Sequence, residues 1–489
     1  MRIAIVRSRL YLPLAIVCLV IHLITAGNSS GYHSADEHHQ IIEFAEFKLG
    51  KLPPGHMAWE YSTGIRSSIQ PWIAAGTMIA SRAIGLTEPL YQAFLLRLFS
   101  ALLAILALIA FVRVSTEQIP TDLQLPFVML SVGLWFLPFL HVRFNSEGWS
   151  ASFLLLGLSF LLQRSGNRSG WAWITGSALA IAVLLRPSTF VVIAGALSWS
   201  IMIRRLPPKD LLRIILAAAF MVFLGFIADS LYYDRWLLST WNYGIMAFSG
   251  PPRMAFDTLP WYYYPPWVVK YALPPIGGVM LIAYVIVLIK QPRHLVIWCI
   301  TPLLLTLTII PHKELRFLYP LADLMPLSII LAAIQVRPFL QRIPSAVRVF
   351  LMGAFILPNA IALLVVMLTP AGNGVTDLVP ILRFGAVTYI EHPASVWSIK
   401  APPFYRKPIE GDTAVAIDAI NSPLLTPYVM VRTTELDQLK ASTGQHFQPM
   451  ARTRSHWEEE LMRLYSWNES EPPWILCSVD RKSNETKIR

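Results

Sequence analysis

Long apolar runs separated by short polar connectors fill the chain from its start to about residue 369. A bilayer core about 30 Å thick takes ~17 to 25 mostly apolar residues per helical crossing. The runs at 10–26, 89–112, 121–140, 149–163, 171–186, 187–203, 210–230, 267–289, 294–311, 316–335 and 346–368 come near that length. The pattern therefore predicts a polytopic α-helical membrane protein with about eleven transmembrane helices. Arg186 and Pro187 interrupt one stretch, predicting two shorter buried or re-entrant pieces. The segment 67–87, SSIQPWIAAGTMIASRAIGLT, is apolar but short and carries Arg82, so it predicts a helix lying on the membrane surface. Past Thr369 the pattern becomes mixed. TAVAIDAINSP and YVMVRTTELDQL read as short strands and turns, SHWEEELMRL as a helix begun by Ser455, and Lys482 to Arg489 as a disordered basic tail. The expected organisation is a transmembrane domain over 1–369, with a first outer loop at 27–88, and a small extramembrane α/β domain over 370–489.

Composition agrees with this pattern. Of 489 residues 55% are apolar and only 14% are charged, and the mean hydropathy is +0.52, the profile of an integral membrane protein. The first run follows Arg2, Arg7 and Arg9, yet Ala26-Gly27-Asn28 is a weak cleavage signal and many apolar runs follow, favouring an uncleaved first helix over a signal peptide. A net charge of +11 would raise the question of nucleic acid in a soluble protein. Here the basic residues occupy short loops, so topology explains them and no nucleic-acid partner is expected. With the N-terminus inside, Arg113, Arg164 with Arg168, the Arg204 to Arg213 group, Lys290 with Arg293, and the Arg337 to Arg348 group all fall on the cytoplasmic side. Residues 27–88, 141–148, 231–266 and 312–315 then face the other side. Cys18, Cys299 and Cys477 offer no metal spacing and no disulfide framework. No P-loop or dinucleotide motif occurs, which argues against an ATP-driven pump.

The polar positions concentrate in one island, His33 to Arg66, where Asp36, Glu37, His38, His39, Glu43, Glu46, Trp59, Glu60 and Arg66 lie between two apolar runs. Asp36 precedes the helical text IIEFAEF and could cap that helix. A carboxylate there could equally act as a general base on an acceptor hydroxyl, with Asp36 and Glu37 as the candidates. His38 and His39 are adjacent, and neighbours on an α-helix diverge by about 100°, so no metal site is expected from them. Trp59, Glu60 and Arg66 join an aromatic side chain to a close charge pair. An interfacial aromatic belt accounts for Trp59 alone, but the pair suits carbohydrate hydroxyls or phosphate better.

Two further clusters break apolar text at outer helix ends. His141, Arg143, Asn145 and Glu147 form the first; polar groups at such positions mark a cavity or a site. The second is PHKELRFLYP, where His312, Lys313, Glu314 and Arg316 stand within five residues. Snorkelling explains Lys313 by itself. A basic cluster on the non-cytoplasmic face is better explained by an anionic ligand such as a lipid phosphate.

These segments together resemble glycosyltransferase family 22, the dolichyl-phosphate-mannose-dependent α-mannosyltransferases that extend the GPI-anchor precursor and the lipid-linked N-glycan precursor. The family's H-P-D-E, then T-W-E-[YF] and an arginine, resembles His33 to Glu37, Ala58 to Tyr61 and Arg66. Its H-K-E-x-R-F matches His312 to Phe317 at every fixed position. HVRFNSEGWS, LRPS and DSLYYDRWLLSTWNYG resemble further family motifs. The departures are Ser34-Ala35 in place of the proline spacing, Ala58 for threonine, and Asp234 where glycine is usual. The resemblance spans roughly 30–320 and implies a GT-C-type glycosyltransferase, with its active site on the periplasmic or luminal surface and no cofactor. It implies a polyprenyl-phosphate sugar donor, a glycolipid or glycan acceptor, and inversion of the sugar by one general base. By the resemblance Asp36 is that base and Glu37 assists. His312, Lys313 and Arg316 hold the donor phosphate, and Trp59, Glu60, Arg66, Arg143, Asn145 and Glu147 line the sugar or acceptor site.

Two other readings remain at this point: a lipid or solute transporter, which predicts charges at mid-membrane depth and two similar halves, and a GT-C enzyme using another lipid-linked sugar. The membrane is either a bacterial inner membrane or the endoplasmic reticulum, the resemblance to core motifs alone favouring the bacterial one.

Overall fold

The computed structural model describes residues 2–52, 57–163, 170–249, 258–371, 385–391, 404, 413–417, 420, 423–424, 426–452 and 474–480. The expected helix at Ser455 and the basic tail lie outside them. The chain divides into two compact units, one of residues 1–29 with 34–369, the other of 30–33 with 370–489.

The described elements of the first unit are all helices, and each predicted apolar run falls on them. Among the described residues, Pro89–Gln118, Pro208–Tyr233 and Ser345–Leu368 are each long and apolar enough to cross a membrane alone. Three bent pairs pass the same test together: Thr121–Gly133 with Phe136–Val142 at 51°, Pro274–Lys290 with Leu295–Ile309 at 115°, and Leu315–Ala322 with Met325–Leu340 at 67°. Helices of sufficient length thus number three, or up to six if each bent pair is one span, against the eleven expected from apolar runs. The difference arises because several runs form helices too short to cross alone, among them Pro13–Asn28, Gly170–Leu185 and Thr189–Met202, and because the runs near 267–289 and 294–311 fall in one bent pair. The helices Gly170–Leu185 and Thr189–Met202 meet at the predicted break around Arg186 and Pro187, where proline cannot continue the hydrogen-bond ladder.

Packing inside this unit depends on small residues that let helix backbones touch. A Cβ on Gly195 would lie 1.8 Å from the carbonyl oxygen of Trp298, and one on Gly176 2.2 Å from that of Ile214. No other residue fits at either crossing. Elsewhere the apolar side chains turn outward: Phe220, Phe223 and Leu231 on one helix and Phe350, Leu357 and Leu364 on another are exposed, as a lipid-facing surface requires.

The polar island folds as short helices: Ala35–Glu37, a π-helical turn His38–Ile42, then Glu43–Lys48, Trp59–Thr63 and Ile69–Ala83. Phe44 packs against Tyr232, Tyr233 and Leu237. The Tyr232 hydroxyl donates to the Phe44 carbonyl and the Tyr233 hydroxyl to that of Arg66, each at 2.6 Å. Asp229 fixes the far end of the island. Its carboxylate accepts from the backbone N–H and hydroxyl of both Ser68 and Ser239, at 2.6 to 2.9 Å. Arg82, the residue that argued against a span, pairs with Glu46 at 3.0 Å and so ties Ile69–Ala83 to Glu43–Lys48. Asp234 ends the helix Pro208–Tyr233 at φ 53°, ψ 33°. This left-handed geometry favours glycine and is tolerated by aspartate, which gives the departure from the family motif a backbone reason.

The second unit holds a five-stranded sheet of β1 (Val387–Glu391), β2 (Thr413–Ala416), β3 (Tyr428–Arg432), β4 (His446–Arg452) and β5 (Trp474–Asp480). The strand order is β2-β1-β3-β5-β4, with β1 parallel to β2 and β3 and β5 antiparallel to β3 and β4. Alternation along the strands sends Ile390, Val429, Val431, Ile475 and Cys477 to one core and Tyr389, Met430, Trp474 and Leu476 to the other, so both faces of the sheet are covered.

Candidate active site

Asp36 lies in the first turn after the extended residue Ser34, and Ser34, not Asp36, occupies the position before the helix. The carboxylate is therefore free of a capping role and instead meets three donors. Gln40 Nε2 donates to Oδ1 at 2.8 Å, Arg316 Nη1 donates to Oδ2, and Arg66 Nη2 stands 3.5 Å from Oδ2. It opens on a cleft also lined by Gln40, Arg66, Ser67, Asn145 and Tyr243.

Glu37 turns the other way. Its side chain is 7% exposed against 19% for Asp36, and it sits among buried groups, 3.6 Å from Arg143 Nη1 and 3.5 Å from Asn145 Nδ2. The fully buried Arg143 also donates to the carbonyl and hydroxyl oxygens of Ser29. Asn145 Oδ1 accepts from the Gly148 N–H at 2.8 Å, starting the helix Ser146–Gln163 that carries Glu147 in its first turn.

Arg316 is the hub of the second cluster. It donates to Ser34 Oγ at 2.8 Å and to Glu314 Oε1 at 2.9 Å, pairs through Nε with Glu314 Oε2, and lies 3.9 Å from Glu147 Oε1. Glu147 is also paired with Arg186 at 3.3 Å, and Arg186 stacks on the Phe317 ring. His312 Nε2 is 2.8 Å from Glu314 Oε1. Burial pushes the Glu314 carboxyl up, but Arg316 and His312 outweigh it and hold the group below its ordinary value.

Lys313 is not drawn into this cluster. Its ammonium donates to the carbonyls of Leu307 at 2.7 Å, Thr308 at 3.1 Å and Ile310, the unpaired carbonyls that end the helix Leu295–Ile309. It acts there as a C-terminal cap, matching the helix dipole.

Glu60 joins the cleft through a residue that sequence reasoning missed. Gln40 Nε2 donates both to Asp36 Oδ1 and, at 2.7 Å, to Glu60 Oε1. Arg66 Nη2 stands 3.8 Å from the same Glu60 oxygen. Burial holds the Glu60 carboxyl above its ordinary value. The four-residue spacing from Asp36 to Gln40 was the available signal, since such pairs share a helix face. Trp59, next to Glu60, is 47% exposed and points away from burial. His141 lies apart as well, its Nε2 2.8 Å from Asp323 Oδ1 and its Nδ1 2.9 Å from His22 Nε2.

The arrangement sets a partly exposed carboxylate beside two guanidiniums at the mouth of a cleft, with further carboxylates balancing them behind. Such a site can accept a proton at Asp36 and bind an anion at Arg66 and Arg316.

Comparison with known proteins bears on the chemistry. The profile of the Alg9-like mannosyltransferase family matches residues 14–407. The chain belongs to that family. Within it, the chain is 23% identical over 276 residues to GPI alpha-1,2-mannosyltransferase 3 of Danio rerio, covering 54% of this chain and 49% of that protein. It is 23% identical over 326 residues to mannosyltransferase APTG1 of Arabidopsis thaliana, covering 64% and 56% respectively. The chain thus spans about half the length of the curated relatives it matches. Among solved structures it is similar to ArnT of Cupriavidus metallidurans bound to undecaprenyl phosphate, with a TM-score of 0.53 at 11% identity over 96% of this chain and 98% of that one. The apo oligosaccharyltransferase of Archaeoglobus fulgidus gives 0.51 at 10% identity over 88% of this chain and 71% of that one. These likenesses show the fold, the GT-C architecture that the sequence motifs implied.

Proposed function

We propose that this member of the Alg9-like mannosyltransferase family transfers mannose from a polyprenyl-phosphate donor to a hydroxyl of a glycolipid or glycan acceptor on the non-cytoplasmic face of its membrane. The observation that carries the reading is the meeting of Asp36 with Arg66 and Arg316 at one cleft. Base and phosphate-binding cations are needed together at a glycosyl transfer from a lipid phosphate. Family membership supports mannose as the sugar, and the ArnT structure with bound undecaprenyl phosphate supports a lipid-linked donor.

In the proposed reaction the acceptor hydroxyl gives its proton to Asp36 as its oxygen bonds to the sugar C1. The bond from C1 to the phosphate oxygen breaks on the opposite face, and the polyprenyl phosphate leaves with the electron pair. A β-linked donor gives an α-linked product in one displacement, with no sugar bound covalently to the enzyme. Charge grows on the leaving phosphate, where the fixed guanidiniums of Arg66 and Arg316 act most strongly. His312 is held near by Glu314, and Lys313 holds the end of the preceding helix in place. Glu37, buried against Arg143 and Asn145, secures the backbone next to the base. Glu60, joined to Asp36 by Gln40, faces the acceptor, as does Asn145 on the cleft wall, while Glu147 balances Arg186 and Arg316 behind them. The bilayer supplies the donor's lipid chain, and no cofactor takes part.

The test is transfer of radiolabelled mannose to a membrane lipid extract from polyprenyl-phosphate mannose and, in parallel, from GDP-mannose. Transfer from the lipid donor alone supports the reading. Transfer by the purified protein from GDP-mannose but not from the lipid donor overturns it.

A further inference from the structure

The turn that follows Asp36 carries a second constellation that the transfer reaction does not use. Residues His38–Ile42 form a π-helical turn closed by the Glu43 N–H on the His38 carbonyl. In an α-helix residues five apart point about 140° away from each other. The wider π turn brings them onto one face instead, so His38 comes over Glu43, while His39 and Glu43 already share a face at four-residue spacing.

The result is a tight group of nitrogen and oxygen donors. His38 Nε2 is 3.4 Å and His39 Nδ1 is 3.0 Å from the same Glu43 oxygen, and the three donor atoms all lie within 4.8 Å of one another. The imidazoles are 5.1 Å apart with their planes at 88°. A zinc ion with bonds of about 2.0–2.1 Å in a tetrahedron sets its donor atoms roughly 3.4 Å apart. No other group of three such residues occurs among the described residues.

We propose that His38, His39 and Glu43 form a binding site for a divalent transition-metal ion of the zinc class, with its remaining position open toward solvent past His39. Two imidazoles and one carboxylate suit zinc rather than magnesium or calcium, which take oxygen ligands. His38 and Glu43 are buried while the His39 side chain is 33% exposed, so the site has two seated ligands and one at its mouth. The ion would pin the same turn that presents Gln40 to Asp36.

The experiment uses the tag-free full chain in detergent, stripped with a chelator and titrated with Zn²⁺ alone, followed by calorimetry and by metal content after desalting. Co²⁺ serves as a spectroscopic probe of the coordination sphere. The expected result is one saturable Zn²⁺ per chain, the visible bands of low-coordinate Co²⁺, and affinity at least about tenfold weaker in His39→Ala and in Glu43→Gln. His39 is partly exposed and Glu43→Gln keeps the side chain's shape; matching thermal midpoints of the stripped proteins would show that both variants fold. Absence of saturable binding in the wild type, or equal binding in folded variants, overturns the proposal and leaves these residues as a hydrogen-bonded His–Glu cluster. None of these readouts depends on sugar transfer, so the metal site and the proposed reaction stand or fall separately.

Discussion

Arg316 donates to Asp36 across a separation of 280 residues, joining the segment after the helix Leu295–Ile309 to the polar island that follows the first helix. The same guanidinium is gripped by Glu314 and reaches Ser34. Its orientation is therefore set by at least two groups other than Asp36, and an anion entering the cleft meets a cation already aimed at it. Preorganisation of this kind is what makes fixed charge effective on a leaving group.

Arg316→Lys keeps the charge but loses the planar fork that contacts Ser34, Asp36 and Glu314 together. The expected result is a fall in kcat of roughly a hundredfold, the scale of losing one preorganised donor. Steady-state kinetics with the lipid donor measure it. A change in KM alone would mean that Arg316 binds donor and transition state equally.

Lys313→Met tests a different role for a neighbouring cation. Its ammonium satisfies helix-end carbonyls, so removing it is expected to cost about 1–3 kcal/mol of stability while leaving the donor KM close to wild type. Thermal unfolding in detergent and donor titration read the two effects. A large rise in donor KM with stability unchanged would return Lys313 to the phosphate site that its sequence position suggested.

Gln40→Leu removes the amide that touches both Asp36 and Glu60. A hydrogen bond donated to a carboxylate favours the ionised form, and burial already holds Glu60 above its ordinary value. Without Gln40 its protonation moves to still higher pH. With Glu60 taken as needed ionised at the acceptor, the acid limb of the kcat profile should therefore shift upward in pH. A pH–rate profile of both proteins checks the direction; an unshifted or downward limb would contradict it.

Much of this site was legible in the sequence because its residues break apolar text. Charged groups such as Asp36, Glu60, Arg66 and Arg316 are costly beside a membrane, so their clustering at helix ends marks them as working groups. Gln40 was not legible, being neutral and set among apolar residues, and only its spacing from Asp36 points to it. The convergence of His38 and His39 on Glu43 was hidden because one extra residue in the turn changes which side chains share a face, and no local propensity announces a π turn. The capping role of Lys313 depends on where the preceding helix ends, the least readable feature of any helix. The opposite placements of Asp36 and Glu37, one at the cleft and one buried, are what adjacent carboxylates in a sequence cannot reveal. In the second unit strands near 413–432 were readable from their apolar text, whereas the order β2-β1-β3-β5-β4 depends on long-range pairing.

The most direct test of the central claim compares wild type with Asp36→Asn for mannose transfer from polyprenyl-phosphate mannose, in protein shown to be folded by its thermal midpoint and its elution from a sizing column. Asparagine keeps the shape and can still accept from Arg316, but it cannot take the acceptor's proton. Since general-base catalysis contributes ~10²–10⁴ in rate, the account predicts a loss of kcat of at least about a hundredfold with donor affinity largely kept. Transfer near the wild-type rate in the folded variant would contradict Asp36 as the base.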